Sequence, residues 1–179
     1  MSRRRPKTLR DGFTLLETIV SMAVLMLAIL GITTTVWQVH SLREENQLRR
    51  TAENAARTMA QEIQVESAAL HEDPLTWAPN LIAVFGAGGA IGPDFAVPGL
   101  DLVDGDAFAG SIEIVTDETT TDAAVDAELG LPRDLNGDGT ATSADVSAEA
   151  LLLPFVVQVR WRSGLGPRTI RLPVYAASF

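Results

Sequence analysis

At two places in the chain, acidic residues stand at positions where they could bind a cation. The first is Glu17, the only charged residue in the otherwise apolar or uncharged stretch from Phe13 to Val39. A carboxylate inside such a stretch costs about 2.5–3.5 kcal/mol even on a lenient membrane-insertion scale, so it predicts a function and a cationic partner. The second is the sequence DLNGDG at residues 134–139, which is followed by a further acid at Asp145.

The spacing of Asp134, Asn136 and Asp138 is typical of a calcium-binding loop. Calcium takes about six to eight oxygen ligands at about 2.3–2.6 Å, and side chains at alternate positions of a tight loop can converge on one ion. Gly139 permits the sharp turn, and Asp145 is expected to close the loop from the start of a helix. An acidic turn that binds no metal is the alternative. The predicted ligands are Asp134, Asn136, Asp138, the carbonyl of Thr140, Thr142 through a water molecule, and Asp145.

This spacing resembles the calcium loops of EF-hands and, more closely, those of dockerin repeats, which also end on Asp. Dockerins carry two such loops whereas this chain has one. The resemblance therefore implies a single structural Ca²⁺ site and no dockerin-style partner. An occupied site would stabilise an extracytoplasmic domain by adding binding free energy to the folded state.

Composition excludes several kinds of active site. The chain has no Cys and only two His, His40 and His71, which excludes disulfide scaffolds, thiolate zinc sites and Cys nucleophiles. The sequence offers no convergent nucleophile and base, and we predict that the protein is not an enzyme. The glycine-rich stretch 84–92 resembles a dinucleotide-binding turn, but Ile91 replaces the third glycine, so a flexible loop is predicted instead.

Charge is distributed in blocks along the chain. Residues 1–12 carry five basic residues and one acid, whereas residues 58–159 carry 18 acids and one base, and the net charge is −9. This acidity argues against contact with nucleic acid. The acids between residues 62 and 128 are predicted to form a solvated surface. A basic cluster near the carboxyl end is also predicted to be a solvated face, with an acidic surface of another subunit as the alternative partner; it consists of Arg160, Arg162, Arg168 and Arg171.

The apolar stretch is long enough to cross a membrane, since about 20 apolar residues span a hydrocarbon core of about 30 Å. The basic residues before it predict a cytoplasmic amino terminus and an extracytoplasmic carboxyl side. Two ordinary explanations are a cleaved secretory signal, whose apolar core would be shorter, and an uncleaved signal anchor. Neither explanation gives Glu17 a role.

The residues from Gly12 to Glu17, GFTLLE, follow the basic leader and begin the apolar stretch. This combination resembles the prepilin motif of type IV pilins and type II secretion pseudopilins. The resemblance implies that a prepilin peptidase cuts between Gly12 and Phe13 on the cytoplasmic side of the membrane and methylates the new amino terminus of Phe13. It also implies that Glu17, the fifth residue of the mature chain, attracts the positive terminus of a neighbouring subunit in a filament.

Hydrophobic periodicity predicts one long helix followed by a small sheet. A helix is predicted from about Thr14 to Leu70, because residues 43–69 contain no Gly or Pro and place one apolar stripe at three- and four-residue spacing. The stripe consists of Leu48, Ala52, Ala55, Met59 and Ile63. Strands are predicted at 81–85 and 111–116, and a hairpin of 155–162 and 168–176 around a turn at 163–167.

The predicted fold class is α+β, with a long N-terminal helix, half transmembrane and half amphipathic, packed on a small C-terminal antiparallel sheet. This is also the pilin-like arrangement that the resemblance implies. The predicted organisation is a leader at 1–12, a transmembrane segment at 13–39, a stem helix at 40–73 and a globular β domain at 74–179, which includes the loop at 134–145.

The resulting hypothesis is a minor pilin or pseudopilin that prepilin peptidase processes and that assembles with other pilins through its apolar helix. Its expected location is the inner membrane, with the globular domain in the periplasm. The alternative is an uncleaved, signal-anchored calcium-binding module. Adhesion, motility, DNA uptake and protein secretion all use subunits with this amino terminus, so the resemblance leaves the pathway open.

Overall fold

The computed structural model describes residues 14–70, 74–120 and 129–178. The predicted cleavage and methylation residues, Gly12 and Phe13, lie outside these ranges. The chain divides into two compact units, Met1–Glu44 and Glu45–Phe179. The described elements are α1 (Leu15–Ala69), α2 (Pro74–Phe85), β1 (Asp94–Phe95), β2 (Gly110–Ile114), β3 (Leu152–Ser163) and β4 (Gly166–Ala177).

The long helix is confirmed, with bounds within one residue of the prediction. Its first part contains a run of three threonines, which could have offered polar groups to lipid or to another helix. Each hydroxyl instead donates to a carbonyl in the preceding turn: Thr33 to Ile29 at 2.8 Å, and both Thr34 and Thr35 to Gly31 at 2.9 Å. Hydroxyls bonded in this way are compatible with an apolar environment because no donor is left without an acceptor.

The stem part of α1 buries one face. Ala52, Ala56, Met59, Ile63 and Ser67 are buried, at the three- and four-residue spacing that places side chains on one side of a helix. They belong to the same apolar core as β3. The predicted members Leu48 and Ala55 lie at the margin of that core and are only partly buried. The small side chains at 52 and 56 allow the helix to approach its neighbours closely.

The four strands form one antiparallel sheet in the order β1-β2-β3-β4, which confirms the predicted α+β arrangement. In the register, Ile112 of β2 lies opposite Val157 of β3, and Val157 lies opposite Leu172 of β4. The hairpin is longer than predicted, because pairing continues to Ser163↔Gly166 and leaves only residues 164 and 165 as the loop. The alternating residues predicted to share the inner face are all buried; they are Phe155, Val157, Val159 and Trp161.

The predicted strand at 81–85 is wrong, since these residues form the end of α2. The buried positions of α2 are Trp77, Ala78, Leu81 and Phe85, whose three- and four-residue spacing places them on one helix face. A short apolar run fits a strand and a buried helix equally well, which is why periodicity over five residues failed here. The helix is fixed by the Trp77 indole, whose N–H donates to the Ser67 carbonyl at 3.2 Å, and by an edge-to-face contact between Phe85 and Phe155, with ring centroids 6.0 Å apart.

The outer edge of β4 is protected by the stem and by proline. Gln64 donates to the Tyr175 carbonyl at 2.5 Å, so odd-numbered positions of β4 direct their backbone groups away from β3. Pro167 and Pro173 occupy two of these outward positions and have no N–H to offer. Missing donors discourage a further strand from pairing with this edge.

Each arginine of the basic cluster pairs with an acid of the same chain, and three of the four keep 42–53% of their side-chain surface exposed. Arg160 lies 3.2 Å from Asp106, Arg168 lies 3.0 Å from Glu45, and Arg171 lies 3.5 Å from Glu113. Arg162 pairs with Asp104. The predicted solvated face is therefore confirmed for Arg160, Arg162 and Arg168, whereas Arg171 is only 22% exposed. The alternative contact with an acidic surface of another subunit stays a prediction.

The core contact of Phe155 gives a stability prediction with an internal control. Phe155 is fully buried, whereas Phe108 is 49% exposed. Phe155→Ala should lower the free energy of unfolding by about 3–5 kcal/mol, because it removes the ring and leaves a cavity. Phe108→Ala should cost less than about 1 kcal/mol. The measurement is chemical unfolding of the full chain in detergent, and equal losses in the two variants would contradict this core.

Candidate functional site

The start of α1 is built around Thr14 and Glu17. Thr14 precedes the helix, and its hydroxyl oxygen accepts a hydrogen bond from the Glu17 N–H at 3.3 Å, which is the geometry of an N-cap. The spacing Thr-x-x-Glu is that of a capping box, and an acid in the first turn is favoured by the helix dipole. The helix therefore begins just after the predicted cleavage point, and Glu17 stands in its first turn.

The carboxylate of Glu17 has no ion-pair partner among the described residues, and the side chain is exposed. The apolar residues around it are exposed too, including Leu15, Leu16 and Ile19. An apolar helix of this kind needs a nonaqueous environment, and the carboxylate within it needs a cation. The described part of the chain supplies neither the nonaqueous environment nor the cation. Both are therefore expected from other molecules or from residues outside the described ranges.

The predicted calcium loop is wound around its own acidic side chains. The two oxygens of Asp134 accept the N–H groups of Gly137 at 2.6 Å and Gly139 at 2.8 Å. Both glycines have positive φ angles, 80° and 89°, which favour residues without a side chain. A Cβ on Gly137 would also lie 3.0 Å from the Leu151 side chain. The glycine spacing thus allows the backbone to curl around Asp134.

The next two predicted ligands continue this winding. The Asn136 side-chain oxygen accepts the Asp138 N–H at 3.1 Å, and Asp138 accepts the Thr140 N–H at 2.7 Å and its hydroxyl at 2.8 Å. The Thr140 and Thr142 hydroxyl oxygens lie 3.2 Å apart. Because each carboxylate oxygen has more than one lone pair, these bonds leave acceptor capacity for a cation. The structure thus supplies several hard oxygen donors within one short loop.

Asp145 stands apart from this arrangement. Its carboxylate accepts the Ser147 N–H at 2.9 Å, and residues 147–149 form a single turn where a helix was expected. Within residues 14–70, 74–120 and 129–178, no three His, Cys, Asp or Glu side chains are grouped so that they could hold a metal ion. The loop from Asp134 to Thr142 therefore supplies oxygen donors, but in this conformation its acids and Asp145 are not grouped into a metal site.

Hydrogen bonds favour the charged forms of two acids in this region. The Thr140 hydroxyl, together with the Thr140 N–H, lowers the pKa of Asp138. The Ser147 N–H is the main cause of the lowered pKa of Asp145. Both carboxylates therefore keep their negative charge to a lower pH than an ordinary Asp, which maintains the acidity of the loop surface.

A buried carboxylate that the sequence did not single out holds this loop in place. Glu118 has no exposed surface, and its Oε1 accepts the N–H groups of Leu135 at 2.7 Å and Asn136 at 3.3 Å. Its Oε2 accepts the Ser143 N–H at 3.1 Å, and its own N–H donates to the Ser143 carbonyl at 3.0 Å. One side chain therefore joins the beginning and the end of the loop, and the prediction that this acid belongs to a solvated surface is wrong.

The comparison with family models matches residues 8–33 to the prokaryotic N-terminal methylation motif. The chain carries a prepilin-type methylation motif. The matched segment includes Gly12, Phe13 and Glu17, together with the first part of α1. No curated protein and no solved structure is significantly similar to the chain. The motif supports a type IV pilin or pseudopilin type of function, which is a structural and non-enzymatic class.

The helix that carries the prepilin-type motif is long and apolar enough to cross a membrane. Its most apolar 18-residue window has a mean hydropathy of 2.4, and none of that window is buried. A core helix of a globular protein would be mostly buried, so this window is not part of a core. Together, the motif and the unburied apolar helix indicate a protein anchored in a membrane and processed as prepilins are.

The buried carboxylate can be tested against an exposed one beside the same loop. Glu118→Ala would leave one buried and two partly buried N–H groups without an acceptor, so we expect the free energy of unfolding to fall by about 3 kcal/mol or more. Glu118→Gln keeps one good acceptor and should cost less. Glu149→Ala, at an exposed position, should stay within about 0.5 kcal/mol of the unmodified protein. Chemical unfolding in detergent measures all three, and the anchoring role fails if Glu118→Ala matches Glu149→Ala.

Proposed function

We propose that this protein is a minor pilin or pseudopilin of a type IV pilus or a type II secretion pseudopilus. The observation that carries the proposal is the prepilin-type motif at residues 8–33, followed without a break by a helix of 55 residues. The antiparallel sheet that follows gives the helix–sheet arrangement expected of such a subunit. Prepilin peptidase cuts between Gly12 and Phe13 and methylates the amino group of Phe13.

The proposed assembly step depends on the charge of Glu17. Cleavage creates a positive amino group close to the membrane surface, and a carboxylate in the first helix turn attracts that group of a neighbouring subunit. Pairing reduces the desolvation cost of both charges when the apolar helices pack together. The hydroxyls of Thr33, Thr34 and Thr35 are already bonded within the helix, so the carboxylate is the group that most needs a partner.

The basic leader supports an orientation in which the amino terminus is cytoplasmic and the globular unit is periplasmic. The partners are then prepilin peptidase, other pilins or pseudopilins, and the inner membrane. An uncleaved signal anchor would place the same domain outside the cytoplasm without any filament. The mature amino terminus separates these two functions, since only the subunit carries N-methylated Phe13.

We therefore expect mass spectrometry of the chain, expressed with an active prepilin peptidase, to find N-methyl-Phe13 as the first residue. Glu17→Gln should be cut and methylated normally but should enter filaments at least 10-fold less, because the amide cannot pair with the amino terminus as a charge. Glu62→Gln, an exposed stem position, should assemble normally. An intact leader on the unmodified chain would favour the anchor, and normal assembly of Glu17→Gln would remove the proposed role of its charge.

We also propose that residues 134–145 bind one structural Ca²⁺. Asp134, Asn136 and Asp138 would supply side-chain oxygens, Thr140 a backbone carbonyl, and Thr142 a water-mediated contact. Asp145, which accepts a hydrogen bond from Ser147 and is not grouped with the other acids, would have to move toward them to take part. The ion would add positive charge to a loop whose three aspartates otherwise repel one another. Glu118 already fixes both ends of the loop, which lowers the entropic cost of forming such a site.

The calcium proposal predicts a linked rise in stability. At a free Ca²⁺ concentration of 100 times Kd, the free energy of unfolding should rise by about 2.7 kcal/mol relative to the protein in chelator. The measurement is a thermal melt of the full chain in detergent. An Asp134→Ala, Asp138→Ala double variant should show no difference between calcium and chelator, while Glu149→Gln should keep it. Equal midpoints for the unmodified protein would leave the loop as an acidic turn.

A further inference from the structure

Most arginines of the globular unit are occupied by other side chains. Among residues 45–70, 74–120 and 129–178, Arg49 pairs with Glu53 at 2.8 Å and Arg133 stacks on Tyr175, with 5.5 Å from its guanidinium carbon to the ring centroid. The four hairpin arginines pair with acids as described above. Within these ranges only two arginines have no ion pair, hydrogen bond or ring contact, and they are Arg50 and Arg57 on the stem.

These two free arginines lie on one face of the stem helix. They are seven residues apart, which is about two turns and about 10 Å, so their side chains project from the same side. At about 100° per residue, that side is opposite the buried positions Ala52 and Ile63. Asn54 lies on the same side and is also exposed. We call this surface, Arg50, Asn54 and Arg57, the arginine face.

The calcium loop and the turn after it form a surface of opposite charge. Asp138, Asp145 and Glu149 are exposed, Asp134 is partly exposed, and none has an ion-pair partner among the described residues. Asn136 donates to Glu149 at 3.4 Å, which holds that acid beside the loop. We call these four acids the acidic loop surface.

We propose that the arginine face docks on the acidic loop surface of a second copy of this chain. With one Ca²⁺ bound, the four carboxylates would carry a net charge of −2, equal and opposite to the two arginines. The contact joins different surfaces of the two copies, so it is heterologous and continues from copy to copy along a filament. The inference rests on the proposed pilin function and extends it, because a chain that docks on itself can occupy consecutive positions.

The test uses the absence of Cys from the chain. Two differently tagged full-length copies are expressed with prepilin peptidase and the assembly machinery, one with Asn54→Cys and the other with Ala148→Cys, both at exposed positions. Oxidation of intact cells should give a disulfide-linked heterodimer on a nonreducing gel. Glu62→Cys, exposed but more than 90° around the helix from both arginines, should cross-link at least fivefold less.

Charge variants in the same background examine the electrostatic basis of the contact. Arg50→Glu with Arg57→Glu should reduce the cross-link at least fivefold, and Glu149→Arg in the other copy should restore part of it. A control is Arg49→Glu, which makes half of that charge change at an arginine already paired with Glu53 and should keep most of the cross-link. If the charge variants cross-link like the unmodified pair, the contact is not electrostatic and the proposal is overturned.

The two proposals fail in different ways. Filaments that contain N-methyl-Phe13 but give no Asn54–Ala148 cross-link would overturn the docking contact and leave the pilin function intact. An unprocessed chain that enters no filament would overturn the pilin function itself. A cross-link equal to that of the Glu62→Cys control would also contradict the docking contact, because it would show random collision in place of a defined interface.

Discussion

The stem helix buries Ala52, Ala56 and Ile63 almost completely, and the globular unit is organised around that one-sided burial. A helix with a single apolar stripe has little stability alone, since helices in water depend on tertiary packing of that stripe. β3 contributes Phe155 and its neighbours to the same core, and β4 contacts the stem directly. The helix and the hairpin therefore stabilise each other, and neither would be expected to keep its structure in isolation.

Polar contacts between the stem and β4 then fix how these elements align. Glu45 meets Arg168 near the start of the strand, and Gln64 meets the Tyr175 carbonyl near its end. The two contacts are 19 residues apart on the helix and seven apart on the strand, about 28 Å and about 23 Å respectively. Their similar spacing means that the stem runs along the strand. An edge that could have recruited another strand is covered by the chain itself.

Within residues 115–120 and 129–151, the described parts of the connection between β2 and β3, a buried carboxylate joins segments that are distant in the sequence. Burying a carboxylate is unfavourable unless donors surround it, and Glu118 receives three backbone N–H groups. Those same N–H groups would otherwise be unsatisfied at the base of the loop. The hydrogen bonds therefore offset the desolvation cost of both the Glu118 carboxylate and the backbone N–H groups. They also hold the loop that carries Asp134 and Asp138 in a defined position.

The sequence was most informative where a pattern is long. The helix could be predicted to within one residue at each end because apolar composition and then a stripe extend over many turns. The hairpin could be predicted because Phe155, Val157 and Val159 alternate. The strand at 81–85 failed because five apolar residues do not distinguish a strand from a helix face. The burial of Glu118 could not be predicted either, because it depends on donors 17 to 25 residues away in the chain.

In the candidate site, too, the features that depend on neighbouring residues could be predicted, and those that depend on distant residues could not. The motif around Glu17 is contiguous, so its residues could be read directly, and the family comparison matches the same segment. The spacing from Asp134 to Asp138 is also local, and the structure winds the backbone around those side chains. Asp145 depends on whether the chain after the loop forms a helix, and here it forms only a turn. The spacing of seven residues likewise predicts that Arg50 and Arg57 share one helix face. Only the structure shows that they are unpaired while the other described arginines of residues 45–178 have partners.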